Sequence, residues 1–192
     1  MAYSEDPTVP KGSLTPTFAA AVMKIKNSRW DGVPFILKCG KGLNERKAEI
    51  RIHFKHVPGA LYSEAPFNEL VLRVQPNEAI YMKLLTKSPG LGSGIEQVEL
   101  DLSYQQRFRV GNLPDAYERL ILDATRGNHS LFVRNDELEV AWRIFTPLLH
   151  KLEREKVKPT IYPFGSRGPK EADELVHKTG VKRNEGYQWS KI

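Results

Sequence analysis

Four stretches of strict apolar–polar alternation constrain this chain more than any other feature. In residues 47–54, Ala48, Ile50, Ile52 and Phe54 point one way, while Lys47, Glu49, Arg51 and His53 point the other. Side chains repeat every two residues only in a strand, so the segment is a half-buried β-strand. Residues 69–75 repeat the pattern, with Leu70, Leu72 and Val74 against Glu69, Val71, Arg73 and Gln75. So do residues 80–84 (Ile80, Met82 and Leu84 against Tyr81 and Lys83) and residues 98–103 (Val98, Leu100 and Leu102 against Glu99, Asp101 and Ser103). No helical pattern intervenes to carry a parallel crossover, so the sheet is expected to be mainly antiparallel. The turn cluster Gln75-Pro76-Asn77-Glu78 predicts a hairpin. Upstream, residues 17–25 lean to strand, and residues 34–39 form a short apolar run closed by Gly40.

The second half changes period. After Pro114-Asp115, the residues Tyr117, Leu120, Ile121 and Ala124 recur at helical spacing up to Gly127. Asp136, with Glu139 three residues on, reads as a capping-box start for a stripe of Leu138, Ala141, Trp142, Phe145, Leu149 and Leu152. Pro147 inside that stripe predicts a kink or a break. A short helix is expected over residues 169–178, stopped by Gly180. Strands first and helices afterwards give an α+β class: one large, mainly antiparallel sheet with helices packed on one face. Residues 1–16, with Pro7, Pro10 and Pro16, read as a linker, and residues 17–192 as the domain. A chain that opens in a linker suggests a preceding segment.

Charge narrows the partners. Over 192 residues, 29 Lys and Arg outnumber 23 Asp and Glu, for a net charge of +6. Such a surplus invites a nucleic acid, an acidic membrane surface or a phosphorylated small molecule. The single Cys39 excludes an internal disulfide and a multi-thiolate metal site, and favours a reducing compartment, hence a cytoplasmic protein. No run approaches 18 apolar residues, so no membrane span is expected, and no signal peptide is visible.

The chemistry concentrates on the polar side of the strands. Lys38, Lys41, Arg46, Lys47, Arg51, Arg73 and Lys83 lie on or beside four consecutive strands. Neighbouring strands run about 4.8 Å apart, so these cations should crowd one another. Glu45, Glu49 and Glu69 offset part of that charge, which suits a solvated, salt-bridged surface; a bound polyanion is the other reading. Gly40-Lys41-Gly42 offers backbone amides to a phosphate, or is a plain turn. It is no Walker sequence, and no Rossmann fingerprint occurs. The five histidines are scattered without metal-ligand spacing, and Cys39 reads as a buried small residue. No catalytic constellation is visible. Near the C-terminus, Tyr162, Phe164, Tyr187 and Trp189 flank Arg167, Lys182 and Arg183, which suits stacking on a base or a tail stapled to the core.

Four segments carry a family resemblance. They are Arg29-Trp30-Asp31-Gly32-Val33-Pro34-Phe35-Ile36-Leu37-Lys38-Cys39-Gly40-Lys41-Gly42-Leu43-Asn44-Glu45-Arg46-Lys47-Ala48-Glu49-Ile50-Arg51; Leu72-Arg73-Val74-Gln75-Pro76-Asn77-Glu78-Ala79; Leu113-Pro114-Asp115-Ala116-Tyr117-Glu118-Arg119-Leu120; and Tyr162-Pro163-Phe164-Gly165-Ser166-Arg167-Gly168-Pro169. In collinear order they resemble the glucose-6-phosphate dehydrogenases, over less than half of a complete family member. The resemblance implies the family's β+α domain, dimerisation or tetramerisation through the sheet, glucose 6-phosphate and NADP as partners, and neither nucleic acid nor membrane. It also implies an NADP-dependent dehydrogenase whose Rossmann domain and catalytic histidine lie outside this sequence, so that the chain alone would be inactive. A truncated homologue acting as a dimerising or regulatory module is the alternative.

Matched residue by residue, the resemblance places Lys41, Arg46 and Gln75 on the glucose 6-phosphate side of the family's site. It places Lys38, Lys47, Arg51, Arg73, Tyr81, Lys83, Asp101, Arg167 and Trp189 at a second, structural NADP site. Lys38 stands where members with that site often carry Arg, and Arg183 where an aromatic often stacks on the nucleotide. No catalytic or metal-binding residue is implied here.

Overall fold

A computed structural model describes residues 2–56, 58–59, 67–108 and 114–181. Its strands are β1 (Phe18–Lys24), β2 (Pro34–Gly40), β3 (Ala48–His53), β4 (Glu69–Gln75), β5 (Ala79–Lys87) and β6 (Ile95–Ser103). Its α-helices are α1 (Tyr104–Phe108), α2 (Ala116–Thr125), α3 (Asn135–Arg154) and α4 (Lys170–His177). The α+β class, the antiparallel pairing and the hairpin between β4 and β5 all follow the sequence reading. Within the segment read as a linker, Tyr3–Glu5 form a single 3-10 turn.

Among the described residues the strands divide between two sheets. β1 pairs with β2, and β3-β4-β5-β6 form a four-stranded sheet in sequence order. The chain also divides into two compact units, residues 1–109 with 160–192 and residues 110–159. The second unit holds α2 and α3. Asp115 caps α2: its Oδ1 accepts the Glu118 amide at 2.8 Å, while Glu118 Oε2 accepts the Asp115 amide at 3.0 Å. That reciprocal pair satisfies two of the donors a helix start leaves open. The start foreseen at Asp136 is displaced. Arg134 occupies the cap position, and Asp136 instead takes its guanidinium at 2.7 Å from inside the first turn. Helix α3 runs on through Pro147 without the break that proline predicts, at the loss of one backbone donor in twenty residues.

The larger unit reverses an expectation about the sheet's two faces. Cross-strand register aligns Ile52, Leu70, Met82 and Leu100 in one row and Ile50, Leu72, Ile80 and Leu102 in the next. This apolar face is the open one, with Ile50 57% and Leu100 64% exposed. The face carrying the charges is the one covered at its centre, along β4 and β5. Val71, Ala79 and Tyr81 form its buried centre, and Glu69, Arg73 and Lys83 are buried around them. A salt-bridged, solvated surface forms at the edges, where Lys47, Arg51, His53 and Asp101 are exposed, but not at the centre, where charges can be buried only where each meets a partner. Cys39, read as buried, is exposed on β2. Among the described residues strand β2 pairs with β1 alone.

Candidate functional site

Three rows of side chains cross the covered face. His53, Glu69, Lys83 and Glu99 align in the first; Arg51, Val71, Tyr81 and Asp101 in the second; Glu49, Arg73, Ala79 and Ser103 in the third. Signs alternate along the first row, and Arg51 in the second lies between Glu49 and Glu69, so the crowding of cations foreseen from sequence is largely resolved by register. Opposite charges on facing strands attract where like ones would repel.

The contacts form one continuous network. Arg73 reaches Glu45 at 3.4 Å, Glu45 takes Lys47 at 2.6 Å, and Lys47 meets Glu49 at 3.2 Å. Arg51 Nε donates to Glu49 at 2.7 Å, and its Nη1 donates to both oxygens of Glu69 at 3.2 Å. Glu69 also receives Lys83 at 3.5 Å and His53 Nε2 at 3.3 Å. Four cations thus contact three carboxylates. This leaves the face far closer to neutral than its lysines and arginines suggest.

Protonation follows the same contacts. Burial opposes ionisation of Glu49, but the hydrogen bond and charge of Arg51, then Lys47, overcome it and hold the carboxyl below its ordinary range. The hydrogen bond from Lys47 does the same for Glu45. Burial lowers Lys83 despite the opposing charge of Glu69, and burial raises Glu99 against the pull of Lys83. The Tyr81 hydroxyl is pushed up to about 12, chiefly by burial.

The remaining candidate residues fall outside this network. Lys38 on β2 and Arg167 share one oxygen of Asp173, at 3.8 and 3.4 Å, in the first turn of α4. The Arg167 Nε is buried with no hydrogen-bond partner among the described residues. Lys41 and Arg46 sit on the exposed loop between β2 and β3, and neither has a carboxylate within ion-pair distance among the described residues. Gln75 ends β4 opposite Ala48, two positions past Arg46. Trp189 and Arg183, with Lys182 and Tyr187, lie outside the described residues.

The Gly40-Lys41-Gly42 turn is built for packing more than for amide donation. The Lys41 amide is committed to the Thr17 carbonyl at 2.8 Å, and the Gly42 carbonyl accepts the Gly165 amide at 2.7 Å. Gly42 has φ +57°, and a Cβ there would lie 2.7 Å from Phe164 Cδ2. His53 is the site residue that the sequence reading passed over, although the alternation puts it on the same face as Glu49 and Arg51. Asp173 carries no such signal: only the fold brings it to Lys38 and Arg167. No group of three metal-ligating side chains occurs among the described residues.

Fold and site together define a class, an α+β domain with a charge-balanced sheet face flanked by loop cations suited to anionic ligands. The family model for the glucose-6-phosphate dehydrogenase C-terminal domain matches residues 1–190. The chain is 62% identical over 190 residues to glucose-6-phosphate 1-dehydrogenase of Dictyostelium discoideum, covering 98% of this chain and 38% of the relative. It is 58% identical over 188 residues to that of Bos indicus, covering 97% and 36%. Among solved structures, a glucose-6-phosphate dehydrogenase in complex with its substrate glucose-6-phosphate superposes with a TM-score of 0.82 at 48% identity, over 98% of this chain and 38% of that one. The Mycobacterium avium glucose-6-phosphate 1-dehydrogenase gives 0.75 at 34%, over 97% and 39%. The chain belongs to the glucose-6-phosphate dehydrogenase family, as its C-terminal domain, and spans 36–38% of the length of these two curated relatives.

Proposed function

We propose that this chain is the C-terminal portion of an NADP-dependent glucose-6-phosphate 1-dehydrogenase, which oxidises glucose 6-phosphate to 6-phosphogluconolactone in the first step of the pentose phosphate pathway. On this reading Lys41, Arg46 and Gln75 contact the substrate. The observation that carries it is the loop between β2 and β3. Lys41 and Arg46 stand exposed there without carboxylate partners among the described residues, while the cations of the neighbouring sheet are matched by glutamates. A phosphate dianion supplies the counter-charge such a loop lacks.

A structural NADP site is proposed around Lys38, Lys47, Arg51, Arg73, Tyr81, Lys83, Asp101 and Arg167, with Trp189 completing it. The side chains fit the group. The unsatisfied Arg167 Nε is a buried donor that a phosphate oxygen would satisfy. When bound, NADP at this site would supply negative charge and a stacking surface. No residue of this chain is assigned to the hydride step, which needs a base for the C1 hydroxyl and a coenzyme beside that carbon. Self-association of the domain through its sheet belongs to the same reading, supported by the open apolar face around Ile50 and Leu100. A cytoplasmic location is proposed on the strength of the single Cys39.

Thermal unfolding tests the assignment, with NADP, NAD or glucose 6-phosphate added at matched ionic strength. A ligand at 100 times its dissociation constant adds about 2.7 kcal/mol when it binds only the folded chain. The expected result is a rise in midpoint with NADP and with glucose 6-phosphate, and a smaller one with NAD. Equal midpoints under all conditions would overturn both sites.

A further inference from the structure

We infer that Tyr162 is a positioning residue for the substrate-side loop, an inference that rests on the proposed role of Lys41 and Arg46. Tyr162 is buried, and its ring meets Phe18 edge-on at 5.6 Å between centroids. Its hydroxyl lies 2.9 Å from the Thr17 carbonyl oxygen and 2.8 Å from that of Lys41. One hydroxyl proton thus faces two acceptors, one just before β1 and one just after β2. The Lys41 amide donates to that same Thr17 carbonyl at 2.8 Å. Both backbone polar groups of Lys41 are therefore held at a single point, and Tyr162 is the side chain that holds it.

The clasp continues along the loop. The Gly165 amide donates to the Gly42 carbonyl at 2.7 Å, the Asn44 amide donates to Ser166 O at 2.9 Å, and Leu43 bridges to Ser166 in parallel. Residues 41–44 are thereby tied to residues 162–166, far away in sequence. The backbone of Lys41 is turned inward to the tyrosine, and its side chain stays exposed. A long, flexible lysine grips an anion well only if its Cα is fixed, since binding geometry is sensitive to displacements near 1 Å. Deleting the hydroxyl takes this donor from the Lys41 carbonyl, while the Thr17 carbonyl keeps the Lys41 amide, and lets that Cα drift. A net neutral hydrogen bond corresponds to about a three- to tenfold change in an equilibrium constant.

The test compares the full 192-residue chain with its Tyr162→Phe variant in two measurements. The first is amide hydrogen exchange. The variant is expected to exchange faster at Lys41, Asn44 and Gly165, with Val71 in the sheet unchanged; unchanged exchange at Lys41 overturns the clasp. The second is titration with glucose 6-phosphate and, separately, with NADP. Glucose 6-phosphate should bind three- to tenfold more weakly and NADP equally well. Faster exchange with unaltered glucose 6-phosphate affinity overturns the positioning role, as does equal weakening of both ligands. A parent chain that binds no glucose 6-phosphate overturns the reading of the loop and this role with it, while the exchange arm still reports on the clasp. Should the phenylalanine variant fail to fold, 3-fluorotyrosine at position 162 keeps ring and hydroxyl and makes the hydroxyl a stronger donor, so exchange at Lys41 should slow and glucose 6-phosphate should bind no more weakly; unchanged or faster exchange overturns the clasp.

Discussion

Glu69 faces Lys83 across the β4–β5 ladder, with Oε2 3.5 Å from Nζ and each side chain more than nine-tenths buried. The same carboxylate accepts both hydrogen bonds from Arg51 Nη1 and lies 3.3 Å from His53. Among the described residues it contacts three basic side chains of the covered face. Removing one partner from a buried ionic cluster costs far more than the pair contributes, because charges taken from water lose their compensation. Glu69→Gln should cost about 3 kcal/mol in urea unfolding, and adding Lys83→Met should recover part of it. An additive double variant would mean the two side chains do not interact.

Tyr81 reports the condition of that face through its own ionisation. Burial pushes its hydroxyl up to about 12, above the ordinary value near 10. The sign of the linkage follows: between these two values the folded chain keeps a proton that the unfolded chain has released. The stabilisation is complete below pH 10 and is lost as pH rises through about 12. Absorbance at 295 nm should resolve one late tyrosine, and Tyr81→Phe should abolish that step and flatten the alkaline fall in stability.

Acid acts through the carboxylates. Glu45 and Glu49 are held below their ordinary value of 4.5 by Lys47 and Arg51, so the unfolded chain binds protons first as pH drops. Their stabilisation is present in full above that value and is lost as pH falls through the lowered ones. Glu49→Gln should weaken the chain at pH 7 and make the parent's and variant's stabilities converge in acid, read by urea midpoints from pH 7 to 3.

The strands were legible because period two survives any covering layer, and the β4–β5 hairpin because its turn residues are local. Which face is covered was not legible. Ile50, Leu72 and Leu100 look like a core row, and Glu69, Arg73 and Lys83 like a solvated one, until register pairs each charge with an opposite. Alternation records two faces without ranking them. His53 was readable from its parity beside Arg51. Asp173 was not, since a helical position far along the chain meets Lys38 only through the contact of α4 with β1. The loop cations were readable as charges, but that no carboxylate among the described residues pairs with them follows only from the fold, which turns Glu45, Glu49 and Glu69 toward other partners.

Gly168 fixes how closely residues 162–169 approach β1. It sits at φ +103°, and a Cβ there would fall 2.4 Å from Phe18 Cε2 on the ring that packs against Tyr162. Strained backbone and overpacking each cost about 1–3 kcal/mol. Gly168→Ala should lower the urea midpoint accordingly and speed amide exchange at Lys41. A variant as stable as the parent would show that Phe18 has room to move aside.

Asp173 gives the most direct handle on the proposed nucleotide site, because it occupies the two cations a phosphate would need. Its Oδ1 is shared between Arg167 at 3.4 Å and Lys38 at 3.8 Å, and about half of its side chain is exposed. A carboxylate in that place competes with an incoming anion, while contributing little as a half-exposed pair. Asp173→Asn should therefore leave the melting temperature of the ligand-free chain nearly unchanged and tighten NADP several-fold. The gain should shrink in high salt, where the competing charge is screened. Weaker NADP binding by this variant would mean that Asp173 orients Arg167 for the ligand, and unchanged binding would place the nucleotide away from both cations.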